Sequence, residues 1–261
     1  EVVFVTGPPL ATALAVSFVA WGAVGASIAL LILGTVLLVP LRATEPPPAS
    51  PEHHDGPAAF RYPGILGIVA VFLLVGGMFG AFEVATVASA EALDARVWTG
   101  ALLAAYALGS GVAGLVLGAR HLAAPLPVQF RLFLTALAVV SLPFPFLGSA
   151  AAIGVFGFLA GLAVAPTLIT GFALVERLVP SGRLTEGLTV VFAGLTVGFA
   201  FGASASGPVI DSFGASTAYW LLVGCAGGAA VIGWVGGRRL DRALARADDV
   251  SAQAAAAPDP A

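Results

Sequence analysis

The sequence predicts an all-α integral membrane protein, a bundle of about eight transmembrane helices. Three observations carry this. The 261 residues are 59% hydrophobic and only 10% charged, with a mean hydropathy of +1.02; a soluble domain is about 25% charged and could not hide this much apolar surface in one core. Charges divide the chain into long neutral runs, at 2–41, 62–82, 97–119, 132–175, 187–210 and 212–237. Each is long enough for the roughly 20 apolar residues that cross a bilayer. Finally, ten of the eleven arginines fall on one side of the membrane once the helices are counted, the asymmetry of the positive-inside rule.

The two longest runs each divide into two helices with a short turn. The predicted spans are then 1–17, 20–41, 64–90, 96–119, 128–147, 149–176, 185–208 and 215–237. The first contains Gly7-Pro8-Pro9. Pro143 and Pro145 bend the end of the fifth, Pro166 lies inside the sixth, and Gly207-Pro208 end the seventh. Prolines inside membrane helices are tolerated where neighbouring helices satisfy the freed carbonyls, so they favour a bundle over isolated spans. The segment 42–62, with Pro46-Pro47-Pro48 and Ser50-Pro51-Glu52-His53-His54-Asp55-Gly56-Pro57, reads as a solvated linker. The tail from 241 to 261 is expected to be disordered.

With the start of the first helix inside, only Arg96 lies outside. The linker and the C-terminus are then cytoplasmic, and the protein is a multi-pass component of the inner (plasma) membrane. Trp21, Trp98, Tyr219 and Trp220 fall at the outer interface, and Tyr62 and Trp234 near the inner one, as an aromatic belt. One Cys excludes a disulfide framework and a thiolate metal site. Three histidines, two of them adjacent in the linker, give no metal spacing. A net charge of −3 is the wrong sign for nucleic acid. No nucleotide loop and no Ser/His/Asp set occurs, so the expectation is no cofactor and no enzyme.

The two ends of the chain repeat one another. Gly7-Pro8-Pro9-Leu10 is matched by Gly207-Pro208-Val209-Ile210, Trp21 by Trp220, and Arg42 by Arg238-Arg239. Four predicted helices precede the second copy within this chain. The repeat therefore leads us to expect four more helices before Glu1, giving twelve in two sets of six around a cytoplasmic linker.

That layout resembles the major facilitator superfamily, in particular bacterial, actinobacterial-like efflux members. The resemblance is carried by Glu1-Val2-Val3-Phe4-Val5-Thr6-Gly7-Pro8-Pro9, Gly80-Ala81-Phe82-Glu83, Thr185-Glu186-Gly187, and Gly198 to Gly214 with Gly207-Pro208 and Asp211. It implies that 1–41 holds the last two helices of one half-bundle, 42–62 the central linker, and 63–240 the six helices of the other half. It further implies a secondary transporter moving a small solute by alternating access, as proton-coupled efflux. Its partners are the solute, protons, the bilayer and four companion helices. A truncated half-bundle without transport of its own, and an integral-membrane enzyme, are the competing readings.

Glu83 is the first candidate for chemistry, because a carboxyl within a span is costly and marks a cavity or proton path. The resemblance makes its helix the seventh of the family, which lines the central cavity. The competing reading places Glu83 at the outer interface, roughly 30 Å from Tyr62. Tyr106, Thr167 and Thr170 are candidate cavity residues, with helix packing as their alternative. Glu1, Glu176, Arg177, Arg183 and Glu186 flank cytoplasmic helix ends and are candidates for a gating ion-pair cluster, or else snorkelling charges. Gly194, Gly198, Gly202 and Ser206 form a stripe at spacing four that admits a close backbone. In the family this helix is the eleventh and is expected to pack on the opposite half. Gly100, Gly109, Gly111, Gly114 and Gly118 in the 96–119 span suggest a second packing face, and Pro166 a bend beside the cavity.

Overall fold

The computed structural model describes residues 6–7, 10, 22–41, 57–120 and 123–256. All regular structure among them is helical. The helices are α1 (Gly22–Leu38), α2 (Ile65–Ala92), α3 (Thr99–Ala119), α4 (Leu126–Ser141), α5 (Ala150–Leu178), α6 (Leu184–Phe213), α7 (Ala215–Val235) and α8 (Gly237–Ala256). Six of them, α2 to α7 with their short flanking turns, are long and apolar enough to cross a membrane. The helix α1 is apolar but has 17 residues, near the lower limit of a span. Most of the predicted 1–17 span lies outside the described residues.

Helix ends follow local chemistry. Gly64 takes φ +98° in front of α2, and Gly214 takes φ +89° between α6 and α7; glycine is the residue that adopts such angles without a steric penalty. Ser149 caps α5 by accepting the Ala152 N–H at 3.3 Å. Pro143 and Pro145 do end α4, which gives way to a turn and a single 3₁₀ turn at Phe144–Phe146. Pro166 does not interrupt α5, nor Pro208 α6. The expectation that Gly207-Pro208 end the seventh predicted span is therefore corrected. Pro208 lies in the last two turns of α6, where the lost hydrogen bond is one of few left to make, and the sharp reversal falls at Gly214 instead.

The tail also departs from expectation. Residues 237–256 form α8, where disorder was expected from 241. Leu240, Ala243 and Leu244 supply a buried apolar stripe at spacings of three and four. Arg131 on α4, only 13% exposed, holds Asp241 at 3.2 Å. The same guanidinium lies 5.5 Å from the Trp234 ring centroid. The Trp234 Nε1–H donates to Thr135 Oγ1 at 2.9 Å. These contacts fasten α8 across the ends of α4, α5 and α7.

The packing of the six long helices has an internal order. The main partnerships are α2 with α6, α3 with α5, α2 with α7, α4 with α5, and α4 with α7. Exchange the first three helices for the last three, so that α2 becomes α5, α3 becomes α6 and α4 becomes α7. The α2–α6 pair becomes α5–α3, the α2–α7 pair becomes α5–α4, and α4–α7 becomes itself. Three crossings separate the members of each exchanged pair, so they run in opposite directions. These partnerships follow the pattern of an inverted-topology repeat; the α6–α7 contact stands outside it, because α3 and α4 have no comparable contact among the described residues.

Glycines set the two closest partnerships. A Cβ at Gly198 would strike the Leu73 carbonyl, one at Gly202 the Gly77 carbonyl, and one at Gly76 or Gly80 the α6 carbonyls of Leu195 or Phe199. On the α3–α5 side, Gly109 meets the Phe158 carbonyl and Gly161 the Tyr106 carbonyl. The stripe is buried, and its glycines Gly194, Gly198 and Gly202 lie against α2 of the same bundle, with Ser206 buried beyond them. Its expected partner, an opposite half, is corrected, and the glycine partner of α3 is likewise internal. Two apolar cores lie along the bundle. One gathers around Phe72, Phe130, Leu174 and Val191 near the arginine-rich end, the other around Met78, Phe82, Phe144 and Tyr219.

Candidate functional site

The site centres on the middle of α2. This helix is the most buried of the six spans, yet Glu83 on it is exposed. The 28-residue helix continues through Ala92, about 14 Å past Glu83 at 1.5 Å per residue. Glu83 therefore lies within the span's length and not at its end. Its surroundings follow from α2's neighbours. On one flank Gly76 and Gly80 lie against α6. On the other, Phe82 stacks on Tyr106 of α3 with centroids 4.3 Å apart, and Phe79 meets the same ring edge-on at 6.1 Å. Glu83 occupies the strip between these contacts, together with exposed Val87 one turn on.

Of the predicted cavity residues, Glu83 and Tyr106 are brought to the same region through Phe82. Thr167 and Thr170 are not. Both are buried, and each hydroxyl is used inside its own helix. Thr167 donates to the Ala163 carbonyl at 2.7 Å, and Thr170 to the Pro166 carbonyl at 2.6 Å. The threonines therefore support α5 around its proline.

The predicted ion-pair cluster is resolved in part. Arg183 and Glu186 pair at 2.9 Å at the start of α6. The other Glu186 oxygen accepts the Ala59 N–H at 3.1 Å, tying the end of the linker to α6. Glu176 and Arg177 are exposed and form no ion pair among the described residues. Glu1 and Pro8 lie outside the described residues, and Gly7 is helical, where a Cβ would meet nothing within 4 Å among the described residues.

The sequence reading missed one buried polar contact. Tyr219 is 1% exposed, and its hydroxyl shares a 3.1 Å hydrogen bond with Thr86 Oγ1 of α2. It was expected in the outer aromatic belt; the adjacent Trp220 is exposed instead, edge-on to Phe146 at 5.6 Å. Two successive residues on a helix point about 100° apart, and the rotation of α7 that exposes Trp220 turns Tyr219 into the bundle. Among the described residues, no three His, Cys, Asp or Glu side chains converge.

Comparison with protein-family models, with curated proteins and with solved structures finds no match for this chain. The functional reading therefore rests on the packing and on the strip around Glu83.

Proposed function

We propose that the protein is a secondary transporter of major facilitator type, moving a small solute by alternating access, with proton-coupled efflux as its mode. The observation that carries the reading is the three-plus-three exchange symmetry of α2–α7. Inverted repeats of three helices are a building plan of transporters, including each half of this superfamily. A half-bundle built from two such oppositely directed sets of three can rock against a second half-bundle and open the site between them to either side, which is what alternating access requires.

The strip at Glu83 supports the same reading. A carboxyl on a span faces a protein-lined cavity or a partner, because the hydrocarbon offers no solvation. In this reading the strip between α6 and α3 faces a second half-bundle, to which residues 1–41 contribute, and the solute binds between the halves. Glu83 is the coupling carboxyl and Tyr106 a wall residue. The Arg183–Glu186–Ala59 contact joins the linker to α6 at the arginine-rich end, where the gate on that side would form.

The test uses proteoliposomes containing an internal pH reporter, challenged with sugars, amino acids, organic cations and organic anions in turn. A coupled transporter moves protons when its solute is added, and Glu83→Gln abolishes that movement. Equal proton movement in both proteins rejects Glu83 as the coupling group.

A further inference from the structure

Away from Glu83, a second feature lies at the arginine-rich end. A cleft of about 460 Å³ opens between the first turns of α2 and the end of α7, within the size range of small-molecule sites. Gly67, Val71, Phe130, Gly233 and Val235 are among its walls. Among the described residues, Arg239 of α8 is the one polar side chain that reaches it. From Gly64 to Val71 the cleft follows α2 for about 10 Å. Its outer rim is apolar and open, with Leu66, Val231 and Val235 all exposed. A water-soluble ligand would find one cation and no other polar side chain there.

We propose that this cleft binds an anionic phospholipid, with one acyl chain along the apolar walls and the phosphate at Arg239. The charge pattern selects that occupant. Arg239, Arg242 and Arg246 follow at spacings of three and four, so they share one flank of α8 beside its buried stripe of Leu240, Ala243 and Leu244. All three are exposed, and none forms an ion pair among the described residues. The neighbouring acid, Asp241, is held by Arg131 at 3.2 Å. Asp249 lies three residues beyond Arg246 but ten beyond Arg239, about 15 Å along the helix from the arginine at the cleft. A basic flank beside an apolar crevice at the end of a bundle is suited to a phosphate headgroup with its chain inserted. The inference requires only that α2–α7 span a bilayer, and its failure leaves the transport reading where it stands.

The test measures lipid retained by the purified full chain from mixed micelles holding equal phosphatidylglycerol and phosphatidylcholine. Phosphatidylglycerol should be retained at least tenfold over phosphatidylcholine. Arg239→Gln should erase that preference, whereas Arg238→Gln, at a position that does not line the cleft, should keep it. Gly67→Phe should lower retention of both lipids by filling the cleft; a Cβ at Gly67 meets nothing within 4 Å, so the substitution has room. Equal retention of the two lipids by the unsubstituted chain would overturn the proposal. So would equal losses in Arg238→Gln and Arg239→Gln, which indicate diffuse attraction to the basic helix. Displacement of the bound lipid by inorganic phosphate would also overturn it, by assigning the site to a free anion.

Discussion

Thr86 and Tyr219 meet inside the bundle, whereas the buried hydroxyls of Ser141, Thr167, Thr170 and Ser206 bond to their own helices. The Thr86–Tyr219 bond crosses between α2 and α7. Hydrogen bonds between membrane helices average about 0.6 kcal/mol and reach about 1.7. Tyr219→Phe and Thr86→Val should each destabilise the protein by about 0.5–2 kcal/mol. The double variant should show a coupling of about 0.6 kcal/mol in a denaturation cycle; additive losses would mean that the bond contributes nothing. Glu83 makes a different prediction. Glu83→Gln retains size and hydrogen bonding while removing the titratable proton. Gradient-driven solute flux should fall at least tenfold, and solute exchange without a gradient should persist. Exchange needs only a cavity that reorients, whereas uphill flux needs a group whose protonation favours one orientation. A tenfold bias between orientations corresponds to about 1.4 kcal/mol, one pKa unit. Unchanged gradient-driven flux would assign Glu83 to the lipid or headgroup boundary.

At the scale of helices, backbone approach at glycine holds the α2–α6 and α3–α5 partnerships together. Gly198→Ala places a methyl group onto the Leu73 carbonyl, and the contact is with backbone that cannot step aside. It should cost about 1–3 kcal/mol, read as a lowered thermal unfolding midpoint in detergent. Gly207→Ala, where nothing lies within 4 Å, should be neutral or slightly stabilising through helix propensity. Equal effects of the two would show that α6 does not ride on α2. The stripe itself was legible in the sequence because its spacing of four is visible in one dimension. Its partner was not, since a bare glycine face fits any other bare backbone and only the fold selects between α2 and a second half. Most helix positions were legible for the same reason that hydropathy works, namely that charges cannot sit in the hydrocarbon. Helix α8 was harder to see. Its stripe is only three residues, Leu240, Ala243 and Leu244, among four arginines, and its anchor Arg131 lies 110 residues away. Arg131→Ala should release α8, seen as faster amide exchange over 237–256 while α2–α7 remain protected; unchanged exchange would locate the anchor in the apolar stripe alone.

For the whole molecule, nine of the ten described arginines, at 61, 120, 131, 177, 183, 238, 239, 242 and 246, flank one end of the bundle, and Arg96 the other. In a Cys225→Ala background, which removes the one cysteine, cysteines at Leu93 and Ala124 should react with an impermeant maleimide from opposite sides of the membrane. Reaction from the same side would overturn the six-span topology. The central claim, alternating access around the strip on α2, is tested most directly at Glu83. In the same background, Glu83→Cys is exposed to an impermeant maleimide in right-side-out and in inside-out vesicles. An alternating cavity predicts labelling from both sides, because the same position opens to each in turn. Labelling from one side only, or from neither, would contradict the claim and return α2 to a fixed, lipid-facing or surface-facing helix.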